Sequence, residues 1–148
     1  MKTFRIIDFG PHEGPAVCVV GSLNADLIAY ESDTWIPGAY NVGDRFEMGA
    51  GGKGLNVAMS IAATGLPSYL VGRVGNDMFG HFLKRALMQG SVNHDLVKTD
   101  PTAFTGIGHV RVKLNATTTP ALYRGPTITS TPPIQRLHSI AGFGSRIW

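Results

Sequence analysis

Gly49-Ala50-Gly51-Gly52-Lys53-Gly54-Leu55-Asn56-Val57-Ala58 is a glycine cluster that runs directly into an apolar segment. Glycines at the mouth of a helix let backbone N–H groups approach a ligand closely. The helix N-terminus favours negative charge or hydroxyl oxygens there. The segment after the cluster predicts a helix over residues 55–64. Leu55, Val57, Ala58, Met59, Ile61, Ala62 and Ala63 make it apolar on nearly every side, so it should be buried. Gly65 is a suitable C-terminal cap and Pro67 prevents continuation. Gly49-x-Gly51-x-x-Gly54 also satisfies a dinucleotide-binding pattern. That pattern belongs directly after the first strand of a βαβ unit, and here the first strand leads into Gly21-Ser22-Leu23-Asn24-Ala25-Asp26 instead. A phosphate-binding loop needs Ser or Thr after its lysine, and Gly54 follows Lys53.

Moving outward, the short apolar run at residues 17–21 reads as a buried strand. Residues 27–30 suggest a second strand, residues 31–44 are turn-rich, and residues 45–48 suggest a short strand before the glycines. Residues 69–74 read as a strand. Asn76 or Asp77 can cap the helix that follows, in which Phe79, Phe82, Leu83, Ala86 and Leu87 share one face and Gly90 marks the end. Residues 105–112 have strand character. Alternating strands and helices imply an α/β fold with a mostly parallel sheet. Ligands of such folds sit beyond the C-terminal ends of strands, the kind of position that Asn24 and Asp26 occupy.

Composition narrows the function classes. With 43% hydrophobic and 16% charged residues, the chain of 148 residues reads as soluble and globular. It has no apolar run of membrane-spanning length and no signal-peptide core, and its single cysteine, Cys18, cannot form an internal disulfide. These features favour the cytoplasm. Cys18 lies in an apolar run and reads as a buried, inert thiol. The net charge of +3 divides into −2 over residues 1–100 and +5 over residues 101–148. The five basic residues of the second part are scattered over 48 residues with no cluster and no aromatic interleaving, which argues against nucleic acid. His12, His81, His94, His109 and His138 show no metal-ligand spacing, so no metal site is expected.

The motifs gain specificity when taken together. Gly21-Ser22-Leu23-Asn24-Ala25-Asp26, then Ala50 to Ala58 with its Gly-Gly-Lys-Gly-x-Asn, then Gly65, then Val71-Gly72-Arg73-Val74-Gly75-Asn76-Asp77-Met78-Phe79-Gly80, then Thr105-Gly106 stand in an order that resembles the N-terminal half of ribokinase-like carbohydrate kinases. The resemblance covers residues 15–112. Residues 1–14 are then an N-terminal extension, and residues 27–48 resemble the segment that forms the family's small β lid. Ala39 stands where the lid often has an acidic residue. The resemblance implies that Asn24, Asp26, Gly51, Gly52, Lys53 and Asn56 bind sugar. The chemistry agrees: a carboxylate accepts from two hydroxyls, Asn both donates and accepts, and bare glycine backbone leaves room for a polyol. The resemblance also implies ATP-dependent phosphorylation of a pentose such as ribose, with Mg²⁺, a monovalent cation and a dimer formed through the lid.

Residues 113–148 break the pattern. Residues 116–133 hold seven Thr/Ser and four Pro with no sustained period, so this tail is expected to lack a packed core. Read one base out of register, its codons permit Asp-Tyr-Asn-Thr-Cys-Ile-Val-Pro-Gly-Ala-Asn, which is similar to the family's continuation and points to a shifted frame. The family's Gly-Ala-Gly-Asp motif, which supplies the catalytic Asp and an anion hole, does not occur in the sequence. No catalytic residue is therefore assigned, and a truncated kinase, inactive alone, is expected. The competing readings are a sugar-binding module without turnover and, further off, an NAD-dependent oxidoreductase built on residues 49–54.

Overall fold

The computed structural model describes residues 14–32, 36, 38–113 and 118–126, and of residues 118–120 the backbone alone. Two sheets and two helices make up the described part. The first sheet is parallel. β1 (Val17–Val20) pairs with β4 (Ser68–Gly75), whose other edge takes β5 (Val92–Asn93) and then β6 (Val97–Asp100). The second sheet has the order β3-β2-β7-β8. β2 (Asn24–Glu31) runs antiparallel to β3 (Gly43–Gly51) and parallel to β7 (Gly106–Val112). β8 (Thr118–Tyr123) runs antiparallel to β7.

The core lies where α1 (Lys53–Ala63) and α2 (Met78–Gln89) meet the first sheet. Leu23, Leu55, Ala58, Leu70, Val74, Leu83, Leu87, Val92 and Val97 form one buried cluster. The face of α2 anticipated from its three-and-four spacing is the buried one, through Leu83 and Leu87. Asp77 caps this helix by accepting the Gly80 N–H at 2.8 Å, and Gly90 stands at its C-terminal cap. α1 starts two residues earlier than expected. Gly52 takes φ of 99°, a conformation that favours glycine, and the Ser22 carbonyl accepts the Leu55 N–H at 3.2 Å, so a neighbouring loop caps the helix in place of a side chain.

Two expectations require correction. α1 is not buried on every side: Gly54, Leu55 and Ala58 face the core, while Asn56, Ser60 and half of Val57 face outward. Cys18 is exposed, because among the described residues β1 pairs with β4 alone and its Cys18 and Val20 face lies open. The tail contributes one strand. Residues 118–123 form β8 and extend the second sheet, because β7 presents a free edge whose backbone groups a Thr-rich segment can pair without apolar period. Residues 127–148, like residues 1–13, fall outside the described part.

Candidate functional site

A cavity of about 510 Å³ opens where the two sheets meet. Its volume lies within the range for small-molecule sites. The loop after β1 supplies Gly21, Ser22 and Leu23, and the start of β2 supplies Asn24. The N-terminus of α1 supplies Gly52, Lys53 and Asn56, and β4 supplies Arg73. The opposite wall comes from Leu122, Arg124, Gly125 and Pro126, at and after the end of β8. A tight crossing holds the floor together: a Cβ on Gly21 would stand 2.6 Å from the Gly54 Cα, so the loop and the helix approach backbone to backbone.

Of the six residues singled out from the sequence, Asn24, Gly52, Lys53 and Asn56 line this cavity. Asp26 lies two residues along β2 and hence on the same face as Asn24. Its carboxylate lies against Gly51, which is itself buried. All six therefore sit in one continuous region, four at the cavity and two on the sheet beside it. Burial pushes the Asp26 carboxyl above the ordinary carboxylate range. Lys53, Arg73 and Arg124 give the cavity wall a positive character. Arg73 is held by Asp100 at 3.2 Å. The first cause that keeps the Asp100 carboxyl below its usual value is the Thr102 N–H, followed by the Ala103 N–H and the Thr102 hydroxyl.

The sequence reading missed Arg73, Leu122, Arg124 and Gly125 as lining residues. Arg73 stands within a quoted motif, but no spacing signal marks it as facing a cavity. The β8 residues were hidden by their unpatterned context. Gly106 and Gly108, which stand beside Asn24 and Asp26 on β7, were not assigned to the site either, although alternate glycines in a strand indicate a bare face.

Comparison with known proteins adds to this geometry. The model for pfkB family carbohydrate kinases matches residues 15–136. A ribokinase of Mus musculus is 34% identical over 100 residues, which cover 68% of this chain and 31% of that protein. A ribokinase of Bacillus subtilis is 30% identical over 94 residues, covering 64% of this chain and 32% of that protein. Among solved structures, Arabidopsis thaliana ribokinase complexed with ribose and ATP superposes with a TM-score of 0.68 at 30% identity, over 75% of this chain and 36% of that one. The chain spans about a third of the length of the relatives it matches.

Proposed function

Because the chain belongs to the pfkB family of carbohydrate kinases, we propose that it carries the sugar-holding part of an ATP-dependent sugar kinase, with a pentose such as ribose as the sugar. The observation that carries this reading is the cavity on which Asn24, Gly52, Lys53 and Asn56 converge beside Asp26. Asp26 accepts from sugar hydroxyls, Asn24 and Asn56 both donate and accept, Lys53 donates, and the backbone of Gly51 and Gly52 lets the ring lie close. The similar Arabidopsis ribokinase was solved with ribose and ATP, which supports ribose as the first sugar to try.

ATP and Mg²⁺ accompany this family, and no described residue of this chain is assigned to either. Among the described residues no three His, Cys, Asp or Glu side chains gather, and a Mg²⁺ ion at a nucleotide site is ordinarily held by one or two carboxylates together with phosphate and water. Phosphoryl transfer needs a base at the attacking hydroxyl and donors around the moving phosphate. The residues around the cavity are assigned to the sugar and to no step of the transfer. Holding the sugar alone contributes ground-state binding and leaves the chemical barrier in place.

The test is calorimetric titration of the folded chain with ribose, deoxyribose and fructose, together with a coupled assay of ADP release. Saturable binding of at least one sugar is expected, weakened about tenfold or more by Asn24→Ala or Asn56→Ala, without sugar-dependent ADP formation. Failure of all three sugars to bind overturns the reading. ADP release that depends on sugar and vanishes in Asp26→Ala would show that this chain also carries the chemistry.

A further inference from the structure

The strands on either side of β2 carry glycine wherever they face Asn24 and Asp26. Gly51 on β3 and Gly106 on β7 stand across from Asn24, and Gly49 and Gly108 stand across from Asp26. Side chains alternate between the faces of a sheet, so these six positions share one face. Four of the six have no side chain, and the two that do are polar. A flat strip of backbone with only Asn24 and Asp26 rising from it thus leads away from the cavity.

The strip does more than leave space. A Cβ built on Gly108 would collide with Oδ1 of Asp26, one on Gly51 with Oδ2 of Asp26, and one on Gly106 with Oδ1 of Asn24. Gly49 differs: a Cβ there would meet nothing nearer than the Asp26 Cβ at 4.0 Å, an ordinary contact. The Asp26 carboxylate therefore lies across the sheet, one oxygen towards each neighbouring strand, in a slot that two glycines keep open.

We propose that Gly106 and Gly108 are positioning residues of the sugar site: they fix the side-chain planes of Asn24 and Asp26, and so decide which hydroxyl arrangement the pair accepts. The proposal rests on the sugar-site reading above. In it, Gly108 acts through Asp26 and not through contact with the ligand.

A double-mutant cycle tests the slot without any ligand. In a strand, alanine should be tolerated better than glycine unless its methyl meets an obstacle. Gly108→Ala should therefore lower the urea midpoint of the otherwise native chain, and should leave it unchanged or raise it in an Asp26→Ala background. An equal loss in both backgrounds overturns the proposal. The Asp26→Ala/Gly108→Ala protein keeps the cycle decisive if the single variant folds poorly. Titration with ribose then asks whether the slot matters to the site. Gly108→Ala should weaken binding about tenfold or more, whereas Gly49→Ala, on the same strip, should stay within about threefold. Equal weakening by both means that any methyl on the strip blocks the sugar, and the positioning role falls. If the native chain binds no sugar, the site reading fails, and the stability cycle still decides whether the glycines hold Asp26.

Discussion

Burial works against the charged form of Asp26 and raises its pKa above the ordinary carboxylate value. The folded state then binds a proton more tightly than the unfolded chain does. Stability contributed by the protonated form is lost as pH rises through the raised pKa. Asp26→Asn should accordingly raise the melting temperature at neutral pH while it weakens sugar binding, a trade seen by thermal denaturation and titration of one preparation. A lower melting temperature in Asp26→Asn would mean that the carboxylate has a stabilising partner in the fold. Sugar affinity should also fall as the pH is lowered, beginning at a higher pH than an ordinary carboxylate would give, because the acceptor is lost on protonation. Asn24 and Asp26 could be singled out in the sequence because an Asn-x-Asp following the first strand resembles a motif of the family, although the structure places both in β2. Gly106 and Gly108 were not, because their role lies in what they leave uncovered on a neighbouring strand, and pairing register cannot be read from one segment.

At the scale of elements, Asp77 joins α2 to the start of β7. One carboxylate oxygen accepts the Gly80 N–H and the Thr105 hydroxyl, and the other accepts the Thr105 N–H, each at 2.8 Å. The Thr105 hydroxyl in turn accepts the Gly75 N–H at 2.9 Å. Burial works against this carboxylate, but the hydrogen bonds from Thr105, Gly80 and Phe79 outweigh it and leave its pKa below the ordinary value. The stabilisation is complete above the unfolded pKa and is lost as pH falls through the lowered one. Asp77→Ala removes a helix cap and two charge-assisted bonds, and should destabilise the chain by about 3 kcal/mol in urea unfolding at neutral pH. A change within experimental error would show that water replaces the clasp. The sequence placed the cap at Asn76 or Asp77, since either side chain can accept a backbone N–H at a helix start, and the structure gives it to Asp77. Its bonds to Thr105, 28 positions away, were not. α2 was legible because a period of three and four over a dozen residues is a strong signal, and α1 from its apolar content between the glycine cluster and Gly65. β5, with two residues, β6, with four, and β8, in a Thr- and Pro-rich stretch, offer too few alternations for a period to show.

For the whole molecule, β1 is the strand whose surroundings least match its composition. Val17–Val20 is wholly apolar, yet Val20 and Cys18 are exposed and, among the described residues, β4 is the single strand paired with it. An apolar parallel strand of this kind is ordinarily covered on both faces. The native chain should therefore react with a thiol reagent without denaturant, and more slowly at neutral pH than a free cysteine, since the surrounding chain partly desolvates the exposed Cys18 thiol and raises its pKa. No reaction before unfolding would mean that this edge is covered in solution. The same edge predicts association as concentration rises, measurable by light scattering. A different consequence follows from the second sheet. Its two central strands come from opposite ends of the described chain, and the ion pair between Glu31 and Arg111 joins residues 80 positions apart. That long loop must close before the strip bearing Asn24 and Asp26 has neighbours on both sides, so the site is among the last things to form. A ligand that recognises only the finished site cannot speed its assembly; it can only delay its loss. In stopped-flow experiments ribose should leave the refolding rate unchanged and slow unfolding, and refolding that quickens with ribose would mean that the site takes shape before the sheet closes.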